Sequence, residues 1–559
     1  MTQTPAVLED RTQEYKERGA QIADAEARQR QRMRHKHFDT IAVHGLYSME
    51  AALANQGSIN EPAYFSSAQH FENSDHMEVA LSYQMPAWAY SRLANPTLHY
   101  LEETVALLEG YGFPGEVSAC ATGSGMSAVF MATQPFLAEN GRPINIVASA
   151  KCYGGTFMLF SQRYAVERGI DVRWVADPLD NDEWASRIDA DTRLVFGEMP
   201  SNPGLNGFDI AAVAELAHAH HAPLIVDSTV ATAALLRPFL HGADIVVHSM
   251  SKSMGSSGMA IAGAVVARHN IHANVGTDAL RENFAMTMKL LPFRDFGPAI
   301  SPFNALMILN DLRTLRTRMD VLSRNSLRIA EFLEAHSQVK AVHYPGLPSS
   351  REHASASKVM WLADGEDDYG APVNRYGHLM SFQVRGDRKR AAGALRPAGD
   401  DLAGDGSGPD QERGHYPDHL HAPAAGRRGA DAGRHPGQLD PAERRRRTPR
   451  RHHGRSGSGP APDQQVAPHQ QRADVRAGQH ALGDRAHGAE GQVVVGFAVQ
   501  TPGLAHLRRL LNGLGTVQPL LGQVDGHGDP IAQQTAQPLG LDRSRTTSTR
   551  RAAAPRAGG

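Results

Sequence analysis

The stretch APLIVDSTVATAALLRPFLHGADIVVHSMSK (Ala222–Lys252) decides the fold. It holds two short apolar runs, Leu224–Val226 and Ile245–Val247, each ended by polar residues. Runs this short and this apolar are typical of strands buried on both faces of a parallel sheet. The first stops at Asp227, and the second leads through HSMSK to Lys252. The interval between them allows one strand–helix–strand passage, which returns both residues to the same sheet edge. A carboxylate closing a buried strand costs desolvation unless it has a partner. By itself Asp227 reads equally well as a cap on the next turn, and Lys252 as a surface lysine.

The pattern repeats outward from this stretch. INIVAS (Ile144–Ser149) and TRLVFGEM (Thr192–Met199) are further buried-strand runs, while LHYLEETVALLEGYG (Leu98–Gly112) and DIAAVAELAHAH (Asp209–His220) have helical periodicity. Strands alternating with helices predict an α/β fold with a mostly parallel sheet, whose ligands bind at the carboxyl ends of the strands. Residues 10–36 are polar, rich in helix formers, and read as an exposed arm. Asn304–His336 is mainly helical and charged, and a strand pair around Val339–Gly346 and Gly377–Val384 opens a smaller α+β domain.

Four polar clusters fall at the strand ends. ATGSGMSA (Ala121–Ala128) offers the backbone N–H groups around Ser124, Gly125 and Met126 to a phosphate. KCYGGT (Lys151–Thr156) sets Tyr153 before two glycines, VDST supplies Asp227 and Thr229, and HSMSK supplies Ser249, Ser251 and Lys252. Taken singly, each reads as a turn, a cap or a surface residue. Taken together they are a phosphate cradle, a ring to stack, a carboxylate for a pyridinium nitrogen and a lysine for a Schiff base, the parts of a pyridoxal 5'-phosphate site.

On these residues the chain resembles the Cys/Met-metabolism (trans-sulfuration) family of PLP-dependent enzymes, which includes cystathionine γ-synthase, homoserine-ester sulfhydrylases and methionine γ-lyase. The resemblance is carried by YSRLANPT (Tyr90–Thr97), Ser124–Met126, Tyr153–Thr156, EMPSNP (Glu198–Pro203), DSTVAT (Asp227–Thr232), RPFLHGADIVVHSMSK (Arg237–Lys252), SPFNAL (Ser301–Leu306) and YPGL (Tyr344–Leu347). It runs from about His44 to Val384. It implies the aspartate-aminotransferase-like fold of type I and a covalent link from Lys252 to the cofactor. Asp227 then holds the pyridine nitrogen protonated, and Tyr153 stacks on the ring and protonates the leaving group. Ser124, Gly125, Met126, Ser249 and Ser251 bind the phosphate, with Thr229 beside Asp227 and Asn202 near the phenolic oxygen. Tyr90 and Arg92 are implied to reach a neighbouring subunit's site, hence a homodimer or homotetramer. The activity implied is γ-replacement on an O-acyl-homoserine with cysteine or sulfide. The alternatives are a γ-lyase, or a remnant impaired in catalysis. The position that is cysteine in well-known methionine γ-lyases is Gly155 here, which favours replacement; the family's SATK is SMSK, and Ser251 retains the hydroxyl.

Composition narrows the partners. Lys and Arg total 57 against 59 Asp and Glu, a formal net charge of −2, which excludes nucleic-acid binding by bulk charge. No apolar run is long enough for a membrane span, and the amino terminus lacks the apolar core of a signal peptide. Two cysteines, Cys120 and Cys152, are too few for a disulfide framework and read as small buried residues in a reduced cytoplasm. No metal is expected.

The length of 559 residues suggests three or four domains, but the composition changes near Lys389, the last lysine. Beyond it there is no Met, Trp or Cys, and only Tyr416, Phe497, Asn512 and Ile531 represent their types. Residues whose codons are AT-rich are thus missing, as when a GC-rich gene is translated out of frame. Reading Gln411–Gly426 and His435–His453 one base later permits KSxATIPTISTHQQQ and IPANLIRLSVGGEHPDDI, strings like the family's own small domain. The expected organisation is therefore an arm (1–60), a cofactor-binding large domain (61–298), the start of a small domain (299–388) and an out-of-frame, largely disordered extension (389–559). The frame changes near 386–390, and the family's substrate-carboxylate arginine falls untranslated across Pro441 and Ala442.

Overall fold

The computed structural model describes residues 10–386 apart from 139, 140 and 142, together with the backbone of 491–496. The expected frame change, the arginine across residues 441 and 442, and nearly all of the extension lie outside the described residues.

Seven strands form the main sheet: β1 (Val117–Thr122), β2 (Asn145–Ser149), β3 (Asp171–Val175), β4 (Thr192–Glu198), β5 (Leu224–Asp227), β6 (Ile245–His248) and β7 (Gly263–Arg268). Their order is β1-β7-β6-β5-β4-β2-β3. The pairs β6/β5, β5/β4, β4/β2 and β2/β3 are parallel, and β7 runs antiparallel to both neighbours. The sheet is the mostly parallel one expected, with the stretch Ala222–Lys252 supplying its central pair β5 and β6. Every residue of β2, β4, β5 and β6 is buried, because helices cover both faces; this is why these strands read as continuous apolar runs. Alternate residues serve opposite faces. Val195, Val226 and Val246 pack with the helices Pro96–Glu109, Ile210–Ala219 and Pro302–Leu312, whereas Phe196, Ile225 and Ile245 pack with the helix Gly125–Thr133.

The helices start where local chemistry says they should. The Asn95 side chain accepts from Thr97 N at 2.9 Å with Pro96 in the first turn, so the NPT of the YSRLANPT motif is a helix cap. Asp209 caps Ile210–Ala219 by accepting from Ala212 N at 3.1 Å.

The smaller region contains β8 (Val339–His343), a hairpin of β9 (Trp361–Glu366) and β10 (Pro372–Asn374), and β11 (Leu379–Val384). As expected, β8 and β11 pair, antiparallel, and the long helix Leu315–Glu334 packs on them. Two expectations need correction. The segment expected to be an exposed arm is a helix, Thr12–Met33, laid on the body: Tyr15 is buried against Val79, Ala80 and Met85, and Arg34 pairs with Glu116 at 2.6 Å. Its few buried residues, Tyr15, Gly19 and Met33, are too sparse to stand out in a polar sequence. Within the stretch expected to be largely disordered, the six residues Gly491–Gly496 form a strand, β12, antiparallel to β11. Its GQVVVG sequence is β-branched, and β11 would otherwise present an open edge.

Candidate active site

The candidate residues other than Tyr90 and Arg92 lie at or follow the carboxyl ends of β1, β2, β4, β5 and β6. Ser124 ends the turn after β1 and caps the helix Gly125–Thr133, its Oγ accepting from Ser127 N at 3.1 Å. The first N–H groups of that helix point out of its amino terminus, where an anion is favoured. Gly125 is required by close approach: a Cβ there would sit 2.5 Å from the Cβ of Ser249. A Cβ on Gly155 would likewise lie 2.6 Å from the Tyr153 ring and 2.9 Å from the Met126 sulfur. Three chain segments, those of Gly125 and Met126, Tyr153 and Gly155, and Ser249, are thereby brought into one place.

Asp227 and Lys252 follow adjacent strands. Asp227 closes β5, is buried, and accepts from Thr229 N at 3.0 Å. Burial raises its pKa, while the Thr229 hydrogen bonds and nearby His248 favour the charge. Thr229 Oγ1 in turn accepts from Ser249 N at 2.8 Å, tying the two strand ends together. Lys252 is exposed in the turn after β6 and makes no ion pair among the described residues. Ser251 is less available than expected, because its Oγ accepts from Ala262 N at 2.8 Å and donates to Ala262 O at 3.2 Å. Beneath this end, His248 and Glu109 form a fully buried pair at 2.6 Å.

Asn202 lies in the loop after β4, where its backbone N–H donates to Glu198 Oε1 at 2.7 Å. Tyr90 and Arg92 are not joined to the rest by any hydrogen bond among the described residues. The Arg92 guanidinium lies over the Tyr90 ring at 5.6 Å and donates to the carbonyl of Arg294, and both side chains are exposed. Sequence reasoning assigned no role to Glu198, although it stood inside the quoted EMPSNP. Its signal was an acid ending a buried strand, the same signal that singled out Asp227.

A further cluster sits at the opposite end of β6. Asp244, fully buried, accepts from Leu224 N at 2.9 Å, His272 N at 3.0 Å, His218 Nε2 at 2.7 Å and His272 Nδ1 at 3.0 Å. The two imidazoles stack with centroids 3.5 Å apart. One ligand atom from each of His218, Asp244 and His272 lies within 4.8 Å of the others, and the hydrogen bonds to the carboxylate tie the loops together.

Pyridoxal phosphate fits the residues present. A helix amino terminus with a glycine approach suits the phosphate, the buried Asp227 suits a protonated ring nitrogen, and an accessible lysine on the neighbouring strand end suits the aldehyde carbon. Comparison with known proteins agrees. Residues 39–392 match the Cys/Met metabolism PLP-dependent enzyme family. O-acetyl-L-homoserine sulfhydrylase of Leptospira meyeri is 32% identical over 379 residues, covering 63% of this chain and 80% of that one. L-methionine gamma-lyase of Porphyromonas gingivalis is 33% identical over 352 residues, covering 62% of this chain and 78% of that one. The crystal structure of an O-acetylhomoserine (thiol)-lyase from Campylobacter jejuni, which holds a pyridoxyl-lysine phosphate, superposes with a TM-score of 0.57 at 31% identity over 65% of this chain and 89% of that one. This chain belongs to the Cys/Met metabolism family of PLP-dependent enzymes.

Proposed function

We propose that the protein catalyses γ-replacement on an O-acyl-L-homoserine, exchanging the acyloxy group for the sulfur of sulfide or cysteine. The observation that carries this reading is the convergence of Asp227, Thr229, Ser249 and the Ser124–Met126 turn at the strand ends that also lead into Lys252. When bound, pyridoxal phosphate acts as the electron sink for charge developing on the substrate carbons. The rest falls to the chain's own residues. With the cofactor bound, the Lys252 amine would take the proton from Cα and carry protons between neighbouring carbons. Asp227 keeps the ring nitrogen protonated. Tyr153 covers the ring and delivers a proton to the departing carboxylate. The Ser124–Met126 N–H groups and Ser249 would hold the phosphate, and Asn202 would lie near the phenolic oxygen.

Tyr90 and Arg92, exposed and apart from their own chain's cluster, are read as completing the site of a second copy, which makes the active unit a homodimer or a pair of dimers. Two buried, unpaired cysteines support a reduced cytoplasmic setting. The composition beyond Lys389, together with a family match that stops at residue 392, supports reading the remainder as translated out of frame. An uninterrupted reading frame through codon 388 of the gene would overturn that part.

The test uses the full chain with added cofactor. A visible absorbance band should form and be absent in Lys252→Ala. Turnover of O-acetyl-L-homoserine with sulfide should exceed that variant's by at least about 100-fold. Release of a 2-oxoacid and ammonia without any sulfur nucleophile would instead assign γ-elimination. A band without either product would mark a remnant that binds cofactor and lacks the substrate-carboxylate site.

A further inference from the structure

Glu198 stands at the junction of two loops that carry site residues. It closes β4 in register with Asp227 at the end of β5, so the two carboxyl groups leave neighbouring strands side by side. Both are buried. Glu198 Oε2 accepts from Tyr153 N at 2.5 Å and its Oε1 accepts from Asn202 N at 2.7 Å. One side chain therefore fixes the main chain of the loop bearing the stacking ring and that of the loop facing the phenolic oxygen.

We propose that Glu198 is a positioning residue of the cofactor site, holding the Tyr153 and Asn202 main chains at fixed places above the strand ends. The inference rests on the reading of the site given above. Two adjacent buried carboxyl groups share one proton more readily than they bear two charges. Burial, and then the charge of Asp227, push the Glu198 carboxyl well above the usual carboxylate range against the lowering effect of the Tyr153 and Asn202 hydrogen bonds, and burial likewise raises Asp227 against Thr229 and His248. Burial, with Glu198 and Asp227 nearby, also raises the Cys152 thiol.

Glu198→Gln tests this, because an amide nitrogen replaces one acceptor and confronts either the Tyr153 or the Asn202 N–H with a donor. In the full chain loaded with pyridoxal phosphate, the variant should keep the visible band that depends on Lys252. It should lose most of the circular dichroism of that band, which reports the ring's orientation. Where turnover is measurable, kcat should fall by about 100-fold with KM little changed. A variant band with wild-type dichroism overturns the proposal. If the variant does not fold, amide hydrogen exchange of the wild-type chain decides: the Tyr153 and Asn202 amides should exchange roughly 100-fold slower than unprotected amides, and exchange at the unprotected rate overturns it. Absence of the band in the wild-type chain itself would sink the functional reading instead, so the two failures are distinguishable.

Discussion

The seven-stranded sheet and the three-stranded sheet β12-β11-β8 are built on opposite plans. The large sheet draws all its strands from residues 117–268, joined by short passages, and its central strands are buried on both faces. The small sheet pairs β8 and β11, then takes its third strand from residues 491–496. The first is complete from local segments and carries every member of the cofactor cluster, whereas the second borrows an edge from a distant part of the chain. Yet both face one continuous apolar cluster, in which Val195 and Val226 of the large sheet and Met380 and Phe382 of the small one take part. The contrast teaches that the cofactor cluster rests on strands that are all local, while the small sheet depends on a remote edge.

The comparison is most readily broken through the two cores. Phe196 on β4 is completely buried among large side chains, and Phe196→Ala should cost about 4 kcal/mol and abolish cofactor binding at ordinary temperature. Phe382→Ala on β11 should cost less and leave the visible cofactor band intact. Equal losses in thermal unfolding and in the band would show the two regions to be one cooperative unit.

A smaller effect isolates the large sheet's far end. Burial pushes the Asp244 carboxyl up, but the hydrogen bonds from His218 and His272 outweigh it and bring the pKa from 3.8 to about 2. A carboxylate depressed in the folded state stabilises above its unfolded pKa and loses that contribution as pH falls through the folded value. Asp244→Asn should therefore lower stability by about 2 kcal/mol at neutral pH, and the deficit should vanish between about pH 4 and pH 2. Denaturant melts of both proteins across that range check it; a deficit constant with pH would mean the two imidazoles do not hold the ionised form.

The smallest effect concerns the borrowed strand. A chain ending at Gly386 lacks β12 and leaves β11 as an edge. It should lose on the order of 1 kcal/mol and keep its affinity for pyridoxal phosphate. A large fall in affinity would place the distant segment among the supports of the site.

Much of this was legible because the features are local. Asp227 and Lys252 stand at or just beyond the ends of apolar runs, which depend on a few neighbouring residues. The docking of Tyr15 was hidden, since a single buried tyrosine in a charged helix gives no periodic signal. The role of Glu198 was hidden for another reason. Its acid character was visible, but its nearness to Asp227 depends on β4 lying beside β5, and its grip on Tyr153 on a segment 45 residues away.

The sequence alone determined that this is an α/β chain with a lysine and a carboxylate at strand ends beside a small-residue turn, because strand length, apolar continuity and turn chemistry are set by adjacent residues. Only the tertiary structure decided which carboxylates are neighbours, which hydroxyls are already engaged, as at Ser251, and which strand closes the small sheet. Those depend on strand order and register, which arise from burying apolar faces that lie far apart along the chain.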